Sequence, residues 1–196
     1  MKKIVLGIAG ASGAPYACRL LEIVSAAPED SVHVAVVMSP SARQVWSHEV
    51  GEDFGRFRVE LFDHRDFNAP FASGSSGYDA MAIVPCSMGT LARVAQGVSP
   101  DLMSRAADVM LKERRRLVLV VRESPYSLIH IDNMRRATEA GAIVLPASPS
   151  FYGRPSSIDD LLDTVVGRVL DHLGVPLSVG PRWNEPLVDR AEGAQA

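Results

Sequence analysis

Polar side chains that could bind a phosphorylated ligand follow the predicted strands of this chain. Ser12, Ser39 and Ser87 each stand at the start of a predicted helix, directly after an apolar run, and Arg122 and Glu123 follow a further run. Serine is a common helix cap, so each serine alone is most simply structural. Three of them at one edge of a sheet, beside a cation and an acid, indicate a binding site at that edge.

A glycine-rich loop carries the first of these serines. Residues 7–15 read GIAGASGAP and directly follow the apolar run 4–6, which is the pattern of a buried strand, a tight turn and the start of a helix. We expect Ser12 to cap that helix and Pro15 to lie in its first turn. The free backbone N–H groups of such a turn attract an anion, typically a phosphate.

The loop matches neither of two common phosphate-binding motifs. The dinucleotide fingerprint G-x-G-x-x-G fails because Ile8 and Ala9 occupy the place of its close glycine pair, and because no acid ends the second strand at Met38. The P-loop pattern fails because no Lys-Ser or Lys-Thr pair follows Gly13. Taken alone, the loop is compatible both with a phosphate-bearing cofactor and with a plain tight turn.

Length and composition indicate one globular domain. The 196 residues carry a net charge of −3, which gives no reason to expect nucleic acid or an anionic membrane as a partner. The two cysteines, Cys18 and Cys86, fit a reducing cytosol, and no apolar run approaches the ~20 residues of a membrane span. We expect a single domain over residues 1–177, a partly disordered tail over residues 178–196 and a cytoplasmic location.

Short apolar runs alternate with helical patterns along the chain. This alternation predicts an α/β fold, a Rossmann-like parallel sheet with helices on both faces, whose ligand lies beyond the carboxyl ends of the strands. The expected strands are 4–6, 32–38, 59–62, 81–84, 117–121 and 142–145, and the expected helices begin near residues 12, 40, 85, 101, 131 and 157.

Two cations lie at helical spacing in the segment 101–114. Arg105 and Lys112 are seven residues apart and therefore share one face of a helix, and Asp108 between them is within reach of both. A solvated ladder of ion pairs explains this spacing. A phosphate site explains it as well, because Arg offers phosphate a planar fork and Lys a compact charge.

Other reactive side chains have a simple structural interpretation. Cys86 is expected to be a small buried hydrophobe, and the stem of Arg168 can pack at the edge of the last helix. His33 and His130 show no metal-ligand spacing with cysteines or acids, so we expect no metal site.

A set of motifs in order makes the chain closely resemble the UbiX/Pad1 family of flavin prenyltransferases, formerly called aromatic acid decarboxylases. The resemblance covers about residues 2 to 177, and two small departures are Val121, where a proline is usual, and Ser124, where a threonine is usual. The motifs are GASGA at 10–14, PCSMGTLA at 85–92, RAADV at 105–109, LKER at 111–114, RESP at 122–125 and PSFY at 149–152.

The resemblance implies a flavodoxin-like, homo-oligomeric fold of the flavin-containing cysteine decarboxylase type, usually a dodecamer, with FMN bound between subunits. The implied reaction joins a dimethylallyl group from dimethylallyl phosphate to N5 and C6 of reduced FMN. The product, prenylated FMN, is the cofactor of a partner UbiD-type decarboxylase, which serves either ubiquinone synthesis or the breakdown of aromatic acids.

The family pattern also implies which residues form the site. Those expected to hold FMN are Gly10, Ala11, Ser12, Ser39, Ser87, Met88, Gly89, Thr90 and Arg122. Those expected to hold the prenyl phosphate are Arg105, Lys112, Arg122, Tyr152 and Arg168.

Three residues are the catalytic candidates: Ser12, Lys112 and Glu123. Cleavage of a C–O bond puts charge on the departing phosphate, which the Lys112 cation would stabilise. A proton must leave C6, and Glu123 is the candidate acid/base, with Ser12 placed to relay it; the released phosphate could also accept that proton. An allylic cation would be stabilised by aromatic faces, for which Tyr152 and Trp183 are the candidates.

Three other functions are compatible with parts of this pattern. An FMN-dependent cysteine decarboxylase shares the implied fold but has no need of the cation cluster, and the Pro-x-Met-Asn motif of that class does not occur in this sequence. A non-catalytic flavin-binding regulatory subunit would have no reason to keep Glu123 and the cations. A direct aromatic acid decarboxylase would act without any partner enzyme. The prenyl donor can be either the monophosphate or the diphosphate.

Overall fold

Six parallel strands form one sheet in a computed structural model that describes residues 1–183. The order of the strands is β3-β2-β1-β4-β5-β6. The strands are β1 (Lys2–Ile8), β2 (Val32–Met38), β3 (Glu60–Phe62), β4 (Ala80–Cys86), β5 (Arg116–Val121) and β6 (Ile143–Pro146). The helices are α1 (Ala14–Ala26), α2 (Pro40–Glu49), α3 (Met88–Gln96), α4 (Leu102–Lys112), α5 (Leu128–Glu139) and α6 (Ile158–Leu173).

Helices cover both faces of the sheet, as the alternation of apolar runs predicts. One hydrophobic layer contains residues of α1, α2 and α6, for example Leu20, Trp46 and Leu170. The other contains residues of α3, α4 and α5, for example Leu91 and Met110. The central strands are buried on both sides, which explains why their sequences are continuously apolar rather than alternating.

Helix α5 begins three residues earlier than expected, at Leu128 rather than near Ile131. The apolar residues of its first turn do not pack into the core, because Leu128 and Ile129 are 72% and 71% exposed. The start is instead set by a reciprocal cap: the Ser127 hydroxyl accepts the His130 amide, and the Ser127 amide donates to the His130 ring. The cap, and not the hydrophobic pattern, therefore marks this helix boundary.

The chain reverses its winding next to β1. Helix α1 follows β1 onto one face, whereas α3 follows β4, the neighbour of β1, onto the other face. In an open parallel sheet this switch leaves a crevice at the carboxyl ends of the two strands, where ligands bind. The serines expected at the site, Ser12, Ser39 and Ser87, all lie at this edge because each follows the carboxyl end of β1, β2 or β4.

Residues 175–183 run back along α6 after the helix ends. The Val175 amide donates to the Leu170 carbonyl, and a Cβ on Gly167 would lie only 2.2 Å from the Val179 carbonyl oxygen. Gly180, with φ +76°, packs against the Asp163 carbonyl. The first part of the predicted tail thus lies against the domain, and residues 184–196 lie outside the described residues. Within residues 1–183, no helix is both long enough and apolar enough to cross a membrane.

Candidate active site

The glycine-rich loop ends in a left-handed glycine rather than in a serine cap. Gly13 is the N-cap residue of α1, its φ is +120°, and it has no side chain with which to cap the helix. The expectation that Ser12 caps α1 is therefore wrong, because the tight turn needs a backbone conformation that glycine adopts without strain. The caps expected at Ser39 and Ser87 are confirmed, since each hydroxyl accepts an amide of its own helix.

Glu49 takes the place at the start of α1 that Ser12 was expected to fill. This residue ends α2, and its Oε2 accepts the amides of Gly13 at 2.8 Å and Ala14 at 2.9 Å. Partial burial alone would raise the pKa of Glu49, but hydrogen bonds from the Ser12 hydroxyl and these two amides, with the charge of Arg122, lower it. A carboxylate thus sits where a helix N-terminus attracts an anion.

Sequence reasoning missed Glu49, which lies 36 residues from Gly13 along the chain. One local signal was present in the sequence. An acid in the last turn of a helix is unfavourable, because the carboxyl end of a helix carries partial negative charge. Such a residue needs a favourable partner elsewhere, and the N-terminus of α1 supplies it.

Arg122 follows the end of β5 and contacts the glycine-rich loop. Its Nε donates to the Ser12 carbonyl oxygen at 2.8 Å. Glu123, the next residue, accepts the Ser124 amide at 3.0 Å through Oε1. The structure therefore places Ser12, Glu49 and Arg122 in one cluster, with Glu123 beside it at the same edge of the sheet.

Ser39 and Gly10 form the wall of the crevice on the side of β2. The Ser39 hydroxyl accepts the Ala42 amide at 3.1 Å and lies 3.1 Å from the Ser41 hydroxyl. A Cβ on Gly10 would lie 2.2 Å from that Ser41 oxygen, so the close approach of the two segments requires glycine at this position. Ala11 follows in the same loop and is buried.

The N-terminus of α3 forms a second anion site at the same edge. The Ser87 hydroxyl accepts the Thr90 amide at 3.3 Å and lies 3.0 Å from the Thr90 hydroxyl. The amides of Met88 and Gly89 belong to the first turn and have no acceptor within the helix, which suits a phosphate. Cys86 is completely buried just before this turn, as expected, and burial raises the pKa of its thiol to about 12.

Arg105 lies beside the segment 70–76, and Lys112 follows at the end of the same helix, α4. Arg105 Nε donates to the Ala72 carbonyl at 3.1 Å, and its Nη1 pairs with Asp108 at 2.8 Å. The ion pair expected between Arg105 and Asp108 is thus confirmed, whereas Lys112 pairs with its chain neighbour Glu113.

Lys112 and Arg122 lie at opposite edges of the sheet. Lys112 ends α4, which leads into the amino end of β5, whereas Arg122 follows the carboxyl end of that strand. The six residues of β5 span about 20 Å at the usual rise of a strand. One chain therefore does not bring these two cations to the same phosphate.

Tyr152 and Arg168 both adjoin the returning tail. The Tyr152 hydroxyl donates to the Pro181 carbonyl at 2.9 Å, and its ring meets that of Trp183 edge-on at 5.6 Å between centroids. Arg168 Nη1 pairs with Asp171 at 2.8 Å, and Arg182 binds the same carboxylate. The tail thus places Trp183 against Tyr152, an arrangement that the sequence alone did not position.

One group of potential metal ligands occurs away from this edge among residues 1–183. The ligand atoms of Cys18, Glu22 and Glu52 lie within 4.8 Å of one another. Arg56 Nη2 sits among them, 3.4 Å from the Cys18 sulfur and 2.7 Å from Glu22. The guanidinium already supplies the positive charge that these groups require.

Comparisons with known proteins show the family of this chain. The chain matches the flavoprotein family model over residues 1–170. The flavin prenyltransferase UbiX of Pseudomonas aeruginosa is 46% identical over 201 residues, which cover 94% of this chain and 95% of the relative. The UbiX of Methanocaldococcus jannaschii is 42% identical over 184 residues, which cover 92% of this chain and 98% of the relative.

Solved structures of UbiX-type proteins are also similar to this chain. AnUbiX (PadA1), in complex with FMN and dimethylallyl pyrophosphate, is 41% identical with a TM-score of 0.84, and the match covers 94% of this chain and 98% of that one. A dodecameric FMN-dependent Ubix-like decarboxylase from Escherichia coli O157:H7 is 38% identical with a TM-score of 0.86, covering 93% of this chain and all of that one. The cysteine decarboxylase TvaF, at 14% identity and a TM-score of 0.57, shares the fold.

The parallel sheet with its switch-point crevice defines a flavodoxin-like fold, and the match to the family model makes the chain a flavoprotein. The identity and coverage of its relatives are more specific than the fold. The chain belongs to the UbiX family of flavin prenyltransferases.

Proposed function

We propose that this chain transfers a dimethylallyl group from a dimethylallyl phosphate to N5 and C6 of reduced FMN. The observation that carries the proposal is the cluster of Ser12, Glu49 and Arg122 on the glycine-rich loop. A subunit that only stored flavin would need anion-binding amides at this edge, but it would need neither a carboxylate nor a cation in contact with the loop. The relatives named above support the same reaction.

The residues at the carboxyl edge would hold the cofactor. The first-turn amides of α3, with the hydroxyls of Ser39, Ser87 and Thr90, would bind its phosphate, and the turn that contains Gly10, Ala11 and Ser12 would lie against its ring. When bound, reduced FMN supplies the two ring atoms that receive the prenyl group. Met88 and Gly89 contribute backbone, and Arg122 adds a positive charge beside the loop.

The cations would drive departure of the prenyl phosphate. As the C–O bond of the donor breaks, negative charge grows on the phosphate oxygens, and Arg105, Lys112 and Arg122 would stabilise it. Tyr152 and Arg168 would hold the same phosphate in position. The rings of Tyr152 and Trp183, already in contact, would face the positive charge that develops on the allylic carbon.

Proton transfer would use the acids at the same edge. Formation of the second carbon bond requires loss of the proton on C6, and Glu123 is the proposed acceptor. The lowered pKa of Glu49 keeps it ionised near neutral pH, so it accepts a hydrogen bond from the Ser12 hydroxyl and would orient Ser12 to relay a proton at N5. The leaving phosphate is a further proton acceptor once released.

The proposed site is completed only between subunits. Lys112 is remote from Arg122 within one chain, so a neighbouring copy must supply it, and a homododecamer like that of the Escherichia coli relative would do so. We further propose that residues 1–177 form the catalytic domain, that the protein is cytoplasmic, and that prenylated FMN passes to a UbiD-type decarboxylase.

Mass spectrometry of the flavin tests this function. Protein with reduced FMN is incubated anaerobically with dimethylallyl phosphate or with the diphosphate, and the flavin should gain one C5 unit with at least one of the two donors. Lys112→Ala and Glu123→Gln should keep FMN and lose most turnover. Bound but unmodified FMN with both donors would overturn the proposal in favour of a decarboxylase or a regulatory flavoprotein.

A further inference from the structure

A cationic cavity adjoins the crevice on the side of α3 and α4. It has a volume of about 370 Å³, and two arginines, Arg65 and Arg93, line it together with a single acid, Asp101. The remaining lining residues are Ser39, Pro40, Ser41, His64, Pro100 and Met103. The cavity therefore shares Ser39 with the proposed FMN site and carries an excess of positive charge.

Arg93 extends from this cavity to the N-terminus of its own helix. Although it belongs to the last turns of α3, its Nη2 donates to the Thr90 hydroxyl at 3.1 Å. Its Nη1 lies 3.9 Å from where a Cβ on Gly89 would stand, so the guanidinium lies over the first turn. Arg93 thus connects the two segments proposed to bind the FMN phosphate, Ser39 and residues 87–90.

A cation in this position is unfavourable by itself. The N-terminus of a helix carries partial positive charge, which repels a guanidinium unless an anion lies between them. The nearest carboxylate oxygen is Oδ2 of Asp101, 3.8 Å from Arg93 Nε, which is too far for a hydrogen bond. The other oxygen of Asp101 caps α4 by accepting the Ser104 amide and hydroxyl, each at 2.8 Å.

Arg93 also has a buried donor with nothing to bind. Its Nε is shielded from solvent and has no hydrogen-bond partner among the described residues. Buried donors in folded proteins are almost always satisfied, so an unpaired one next to free helix amides indicates a bound acceptor. A phosphate would satisfy Nε, and it would neutralise both the guanidinium and the helix terminus.

We infer that Arg93 binds the phosphate of FMN, closing the anion site at the start of α3. Arg65 is the second cation of the same cavity wall and adds to its positive potential. The inference rests on the proposed placement of the FMN phosphate at Ser39 and residues 87–90. With Arg93 at this site, the chain would bind FMN more tightly than riboflavin, which lacks the phosphate.

Flavin binding to flavin-free, full-length protein tests the inference through the ratio of FMN affinity to riboflavin affinity. Arg93→Met keeps most of the side-chain length and removes the charge, so it should lower this ratio by about 10- to 100-fold, the range for a lost charge-assisted hydrogen bond. Riboflavin affinity should stay unchanged, because riboflavin has the same ring and ribityl chain without the phosphate. Arg93→Lys should restore part of the ratio.

Arg135→Met is the matched control. It removes one positive charge from the exposed side of α5, where Arg135 pairs with Glu139, and it should leave both affinities unchanged. Arg93→Met protein that retains the wild-type ratio would overturn the inference. An equal loss of FMN and riboflavin affinity would also overturn it, because it would assign Arg93 a role in folding of the site. Wild-type protein without any preference for FMN would instead overturn the proposed phosphate site itself.

Discussion

Mixed oligomers test whether the two edges of the sheet meet between subunits. The proposed site needs Lys112 and Arg122, which the length of β5 separates by about 20 Å within one chain. Chains carrying Lys112→Ala retain Arg122, and chains carrying Arg122→Ala retain Lys112. Each variant alone should form flavin sites that lack one essential cation and should therefore turn over poorly.

Equal mixing of the two chains should restore activity to a defined level. If each site takes Lys112 from one subunit and Arg122 from another, random assembly of a symmetric oligomer leaves about one quarter of the sites with both native residues. The expected rate is therefore about a quarter of the wild-type rate per subunit, measured as prenylated FMN by mass spectrometry. Differently tagged chains, expressed together and purified through both tags, give the mixed oligomers.

A double variant provides the control for subunit exchange. Chains with Lys112→Ala mixed with chains carrying both Lys112→Ala and Arg122→Ala contain no native Lys112, so their activity should stay at the level of Lys112→Ala alone. Mixed oligomers that bind FMN but recover no activity would refute the reasoning, because both cations would then have to act from one chain.

Two further predictions concern stability. Asp163, which is 2% exposed, makes a bidentate pair with Arg19 at 2.7 and 3.0 Å, so Asp163→Asn should lower the free energy of unfolding in urea by roughly 3 kcal/mol, the cost of removing one partner of a largely buried ion pair. Glu139→Gln, which breaks an exposed pair, should cost less than about 0.5 kcal/mol, and an equal effect of the two would contradict this interpretation. Because the folded pKa of Glu49 lies below its ordinary value of 4.5, its contribution to stability is present above that pH and is lost as the pH falls through the folded pKa. The stability difference between wild type and Glu49→Gln should therefore be constant near neutral pH and shrink below about pH 4.5; a difference that grows on acidification would contradict the hydrogen bonds to Gly13 and Ala14.

Features set by neighbouring residues could be predicted from the sequence. The central strands are buried on both faces, so their apolar runs are visible in the sequence, and β2 has the predicted bounds. The caps at Ser39 and Ser87 are also local, because each hydroxyl binds an amide three residues ahead. Ser12 fits the same local pattern and was misassigned, because the turn conformation at Gly13 depends on φ, which residue type alone does not specify.

Contacts between distant segments could not be predicted in this way. Nothing in the residues around Gly13 indicates that Glu49, at the end of the next helix, supplies the acceptor for the amides of α1. The contact of Tyr152 with Trp183 likewise depends on the path of the tail along α6, where Gly167 leaves space for the Val179 carbonyl. Each of these contacts depends on how distant segments pack together, and the local sequence pattern does not indicate that packing.

The separation of Lys112 from Arg122 is a consequence of topology that the order of elements already contains. In a parallel sheet, a helix that connects two strands must run back from the carboxyl edge to the amino edge, so its last turn lies at the amino edge. Lys112 ends such a helix, and the strand that follows carries the chain to Arg122 at the carboxyl edge. No side-chain rearrangement of a few ångströms closes a gap of about 20 Å. A phosphate bound by both residues therefore requires two chains, and the same topology that positions the glycine-rich loop makes oligomerisation a condition of the proposed chemistry rather than an addition to it.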